Sequence, residues 1–144
     1  MVEIASVIML IAGVVLNGGL FPFVSGEEWF ISYYGTEEDG YLGEHHGAYW
    51  HGDSCGLPTV VDEEHYGAAA PRGIPYCSQL VVCVPDRVPD CVTVTVVDRQ
   101  RDDYVGGSPH IDLWPAPARM LGIYGPVGVD SGDVFLLRLG HGDL

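Results

Sequence analysis

Two aspartates and a histidine are the residues of this chain best placed to do chemistry. Asp98 closes the run Val94-Thr95-Val96-Val97, and Asp112 stands in His110-Ile111-Asp112-Leu113. Two carboxyls at the ends of neighbouring segments support general acid–base work when burial and mutual repulsion push their pKa values apart. Each aspartate also has a structural reading. Asp98 would accept backbone N–H bonds at a turn, and Asp112 would cap a short helix starting near Pro115. Tyr34, Tyr49, Trp50 and Trp114 offer aromatic faces for stacking, and Arg99 offers a cation beside Asp98. His45, His46, His51, Asp53 and His65 have the donor types of a metal site, but their spacing fits no ligand pattern. A solvated, glycine-rich loop is the expectation there, and no metal or other cofactor is expected.

Short strands must hold these groups. Trp29 to Gly35 has the aromatic and β-branched content of a strand ending at glycine. Ser78 to Val84 and Cys91 to Val97 are the clearest strands, and Val92, Val94 and Val96 alternate as one core-facing row. Pro115 to Leu121 reads as a two-turn helix with proline near its start and Gly122 after its end. Asp133 to Leu139 reads as a final strand, and Thr36 to Gly56 as a long loop of the kind that is functional or mobile. Twenty glycines and ten prolines in 144 residues punctuate the chain too often for a helical bundle. The class is all-β with one small helix.

Four cysteines, Cys55, Cys77, Cys83 and Cys91, allow three disulfide connectivities. Cys83 ends one apolar run and Cys91 opens the next, across a turn-like Val84–Asp90 segment. A hairpin would bring them together, so Cys83–Cys91 is the first choice and Cys55–Cys77 follows. The alternative is four free or metal-binding thiols, although no C-x-x-C spacing is present. Six arginines, no lysine and twenty acidic residues give a formal charge of −14. That balance excludes nucleic acid as a partner and disfavours an anionic membrane surface, because no basic patch can displace counterions from phosphate.

Residues 1–26 form a hydrophobic leader. Ile4 to Leu16 matches a signal-peptide core and falls short of a span, while Met1-Val2-Glu3 lacks the usual basic residue. The segment is expected to be an export signal or membrane anchor, or else an arm inserted into a neighbouring subunit. Residues 27–144 are expected to form one domain.

That domain resembles double-psi β-barrels of the rare lipoprotein A and expansin type. The resemblance rests on Tyr33-Tyr34-Gly35, on Ala68-Ala69-Ala70-Pro71 before a strand, on Val94 to Arg99, and on His110-Ile111-Asp112-Leu113 followed by Met120-Leu121-Gly122. The His-x-Asp form is also similar to family-45 endoglucanases. The resemblance implies a six-stranded double-psi barrel acting on polysaccharide, with Asp112 as general acid and Asp98 orienting the sugar or polarising Asp112. His110, Trp114, Tyr34 and Arg99 would then contact substrate. Two departures stand out. Pro71 replaces the histidine of the lytic-transglycosylase pattern, with His65 or His110 as the available substitutes, and Asp98-Arg99-Gln100-Arg101 replaces Asp-Arg-Gly-Pro.

Three expectations follow. The first is an extracytoplasmic domain cleaving peptidoglycan glycan strands or a related polysaccharide. The second is a non-catalytic, expansin-like binding module. The third is a virion or surface-assembly protein that uses the barrel as a scaffold.

Overall fold

The computed structural model describes residues 28–125 and 128–141. The leader therefore lies outside the described residues. In chain order the elements are β1 (Trp29–Tyr33), α1 (Gly47–Trp50), β2 (Gly67–Ala69), β3 (Gln79–Cys83), β4 (Cys91–Asp98), β5 (Tyr104–Val105), β6 (Ser108–Leu113), α2 (Pro115–Met120) and β7 (Asp130–Arg138). Six strands close into a ring in the order β1-β7-β3-β4-β2-β6, and β6 returns to β1. The pairs β1/β6 and β2/β4 are parallel, and the other four are antiparallel. Closure removes the exposed sheet edges that an open sheet of this size would have to protect. No helix among the described residues is long and apolar enough to cross a membrane.

Alternation on each strand fills the barrel. Val92, Val94 and Val96 of β4 are buried, as the sequence pattern predicts, and Leu80 and Val82 face them from β3. Ile31, Ile111 and Leu113 complete the core together with Trp29 and Trp114. Both disulfides form as expected, Cys83–Cys91 directly across the β3/β4 ladder and Cys55–Cys77 from the long loop to the approach to β3.

Two local expectations are corrected, and one strand is added. Segment 36–56 is not simply a solvated loop. It contains α1, and the buried His46 caps that helix by accepting from the Tyr49 N–H while its Nε2 lies 2.6 Å from the Pro58 carbonyl. Ser108 to Leu113 is a strand, hairpin-paired with β5 through Gly106-Gly107, because Pro109, Ile111 and Leu113 alternate inward. The last strand begins at Asp130 rather than Asp133, since its first residues pair with β1.

β2 is only three residues long and approaches Trp114 closely. A Cβ on Gly67 would lie 2.6 Å from Trp114 Cε2, and the Trp114 N–H donates to the Gly67 carbonyl at 3.0 Å. Gly67→Ala is expected to cost about 1–3 kcal/mol by overpacking a rigid ring. Urea unfolding of the variant measures this, and an unchanged midpoint would show that the ring has room to move.

Candidate functional site

One row of hydrogen-bonded partners crosses four neighbouring strands and carries the site. Asp98 on β4 pairs with Ala69 on β2, Ala69 pairs with Asp112 on β6, and Asp112 pairs with Ser32 on β1. Partners in a row project to the same face, and adjacent strands lie about 4.8 Å apart. The two aspartates are therefore about 10 Å apart at the backbone, with only a methyl group between them. His110 shares the face of Asp112 two residues earlier on β6, opposite Phe30.

The two carboxylates sit in different surroundings. Asp98 is saturated from within. Its Oδ2 accepts the Tyr34 hydroxyl at 3.0 Å, and its Oδ1 accepts the backbone N–H of Gly47 at 3.1 Å and of Arg99 at 3.0 Å. Asp112 has a single side-chain partner, Ser32 Oγ at 2.8 Å from Oδ1. Burial pushes the Asp112 carboxyl up to about 7; the Ser32 hydroxyl opposes this, and the negative charges of Asp39 and Asp98 add to it. A carboxyl raised in this way by desolvation and like charge holds a proton at neutrality and can donate it.

Asp112 lies on the floor of a groove. One part, of about 160 Å³, is lined by Tyr34, Tyr41, Ala69, Asp98, Arg101 and Asp112, among others. A shallower part continues past Tyr41, Gln100 and Arg101 to His110 and Val105. Ala69 sets the space between the aspartates. Ala69→Leu is expected to fill that space and abolish ligand binding while the melting temperature shifts only a few degrees. Pull-down on insoluble polysaccharide, paired with a thermal melt, measures both.

The structure redistributes several expected roles. Trp114 is 0% exposed, so no sugar can stack on it. Its indole N–H donates to the Tyr34 hydroxyl at 2.8 Å, which makes it a support for the site rather than a platform. Tyr34 is 8% exposed, and its hydroxyl is spent on Asp98. Burial and the nearby carboxylates raise its pKa well above the ordinary tyrosine value. Arg99 is likewise engaged. Its guanidinium donates to the Ile74 carbonyl at 2.6 Å and covers the Tyr76 ring at 4.2 Å, so it braces the loop after Pro71. Arg101 also lines the groove; its side chain is 93% exposed, with Nε 3.8 Å from Asp102 Oδ2.

Asp98 accepts backbone N–H groups, as its structural reading expects, and it also lines the groove. Asp112 does not cap α2, whose N-cap is Trp114 with no side-chain bond. Several residues of the histidine-rich segment have other partners. His45 stacks on Tyr49, His46 caps α1, and His65 pairs with Asp62. Asp53 and His141 do approach Cys77, but that sulfur is bonded to Cys55 and has no thiolate to offer. Ser32, Asp39, Tyr41, Ala69 and Arg101 escaped the sequence reading. For Ser32 no local signal exists, because only the parallel β1/β6 pairing sets it beside Asp112.

No protein-family model and no curated protein matches this chain. Solved structures do. An expansin from Clavibacter michiganensis, solved as the apo protein and, as a point mutant, in complex with cellohexaose, superposes with a TM-score of 0.53 at 18% identity. The match covers 81% of this chain and 52% of the expansin, so the chain spans about half the length of that relative. The fold is the expansin-type double-psi β-barrel. Streptomyces papain inhibitor is also similar, with a TM-score of 0.45 at 17% identity over 76% of this chain and 96% of that one. Within the double-psi barrel the groove runs across the parallel-paired strands, and Asp112 belongs to the last-but-one strand of the ring in chain order.

Proposed function

We propose that the groove binds a cell-wall polysaccharide and that Asp112 protonates a glycosidic oxygen, most specifically in the glycan strands of peptidoglycan. The observation that carries this reading is a carboxyl raised to about 7 on the floor of an open groove. Cleavage of a glycosidic bond needs an acid for the leaving oxygen and a group that tolerates oxocarbenium-like charge. Asp112 supplies the first. Asp98, engaged by three internal donors, supplies field rather than contact. When the sugar's own hydroxyl attacks, one carboxyl acts as acid and then as base, so a second free carboxylate is not required.

The match to an expansin solved with cellohexaose supports a polysaccharide as the ligand class. The two disulfides, which leave no cysteine free, fit an oxidising, extracytoplasmic compartment. Residues 1–26 serve in this reading as the export signal or anchor. Digestion of purified peptidoglycan tests the chemistry. Release of 1,6-anhydro products that disappears with Asp112→Ala is the expected result.

A second reading, a non-catalytic binding module, is favoured by one specific observation. Tyr34, Gly47 and Arg99 already donate to Asp98, and Asp39, the other carboxylate whose charge reaches Asp112, accepts the backbone N–H groups of Gly35 and Tyr41, so both are committed elsewhere and neither is free to activate water. Retention on cell wall with no sugar released selects this reading. Mass spectrometry giving Glu27 as the mature N-terminus would establish that the leader is cleaved.

A further inference from the structure

Asp112, Ser32 and His110 form a chain of three contacts whose hydrogen count has one consistent solution when the imidazole is neutral. His110 Nδ1 lies 3.2 Å from the Asp102 carbonyl oxygen, and its Nε2 lies 2.6 Å from Ser32 Oγ. A carbonyl oxygen can only accept, so Nδ1 carries a hydrogen. A neutral imidazole carries only one, which leaves Nε2 as an acceptor. The single hydroxyl hydrogen of Ser32 then points to Nε2, and nothing remains to donate to Asp112 Oδ1 at 2.8 Å. That contact is satisfied when Asp112 is the donor.

We infer that Ser32 and His110 are positioning residues that hold the proton of Asp112 in place and relay it. The inference rests on the acid role proposed for Asp112. With the proton on Asp112, every contact in the chain is a proper hydrogen bond. Once Asp112 has given its proton away, Ser32 must serve two acceptors, Asp112 and Nε2, with one hydrogen. A hydronium ion that protonates Nε2 and leaves as water resolves this. The Nε2 proton passes to Ser32 Oγ, the Ser32 hydroxyl hydrogen passes to Asp112 Oδ1, and Nε2 is an acceptor again. One hydronium O–H breaks as the N–H forms; that N–H and the Ser32 O–H then break as two O–H bonds form, so Asp112 is recharged by one hydronium proton.

The surroundings fit this direction of flow. Burial lowers the His110 pKa, against the opposing pull of the Asp102 carbonyl and of the Asp102 and Asp103 charges, so the ring rests neutral. Phe30 packs edge-on against it from β1 at 5.2 Å. Asp112 faces the negative charges of Asp39, from the segment after β1, and of Asp98, from β4, and both favour its protonated form. Arg101 lines the same groove at its exposed rim. Gln100 fixes the backbone of this strand by donating its side-chain amide to the His110 carbonyl.

The test is nitrogen NMR of the full chain labelled with ¹⁵N-histidine, together with carboxyl-carbon NMR of ¹³C-labelled aspartate, from pH 4 to 9. His110 is assigned by the signal lost in His110→Gln. The expected result at pH 6 is a neutral His110 with Nδ1 protonated and Nε2 bare. As Asp112 titrates, the Nε2 signal should move with it. Ser32→Ala should uncouple the two titrations, and Ser32→Thr, which keeps the hydroxyl, should restore the coupling. An imidazolium, or a neutral Nε2–H tautomer, at pH 6 overturns the relay, as does coupling that survives Ser32→Ala. These spectra need no substrate. A chain with the expected spectra that cleaves no glycan would sink the acid role and leave the relay standing; a cleaving chain with the Nε2–H tautomer would do the reverse.

Discussion

Asp112→Asn is expected to lower glycan cleavage roughly 10²–10⁴-fold, the usual contribution of a positioned general acid, while making the barrel more stable at neutral pH. The two effects share one cause. The folded chain holds the Asp112 carboxyl near 7, far above its ordinary value of 3.8, because ionising it means charging a buried group beside Asp39 and Asp98. Below about pH 4 both folded and unfolded chains keep that proton, and the site costs nothing. Between about 4 and 7 the unfolded chain releases the proton and the folded one retains it, so stability falls as pH rises. Above 7 the whole penalty is present, about 4 kcal/mol as an upper bound. Asparagine cannot ionise, so the variant escapes the penalty. Urea unfolding of both proteins at pH 4 and pH 8 measures it: the midpoints should lie close together at pH 4 and separate at pH 8, with the variant higher. Cleavage by the unaltered chain should decline as pH rises through the same value. A variant that is less stable than the parent at pH 8 would show that the carboxyl is not held protonated.

Trp114→Ala is expected to destabilise the fold by about 3–5 kcal/mol, the range for removing a large buried aromatic side chain. The ring is fully enclosed and packs against the bare backbone of Gly67, so the space it leaves cannot close without moving β2. The indole N–H also orients the Tyr34 hydroxyl, which in turn holds Asp98. Loss of the ring therefore loosens one wall of the groove as well as the core. Trp114→Phe separates the two contributions, since it keeps most of the volume and removes only the N–H, at a cost of about 1–2 kcal/mol. A stacking platform would behave differently. If Trp114→Ala left the unfolding midpoint unchanged and only weakened polysaccharide retention, the ring would have to be reachable from solvent.

The contrast between Asp98 and Asp112 shows where local sequence stops being informative. Both aspartates end or interrupt apolar β-type segments, and both admitted a structural and a chemical reading. Their neighbours in the chain do not distinguish them. The partners that do are Tyr34, Gly47 and Ser32, at sequence separations of 64, 51 and 80. Aromatic residues near a candidate acid likewise read as sugar platforms until burial is known. Trp114 is adjacent to β6 in sequence, yet the N-terminal turn of α2 directs it into the core. Arg99 and Arg101 differ in the same manner, one tied to the loop after Pro71 and the other exposed.

By itself the sequence determined the all-β class, the alternating core row of β4, the short proline-headed helix and the segments that hold the two aspartates, and it ranked the observed disulfide pairing first among three. These depend on periodicity, turn chemistry and hairpin proximity, which act over a few residues and are visible in one dimension. The tertiary structure alone decided how differently the two aspartates are surrounded. Parallel pairing of β1 with β6 and of β2 with β4 joins residues far apart in the chain, and no local pattern encodes that register. The register places Ala69 between the carboxyls, Ser32 and His110 beside one of them, and three hydrogen-bond donors on the other. Desolvation and donor count, which are properties of the assembled row, then give the two aspartates different surroundings, where the residues next to them in the chain do not.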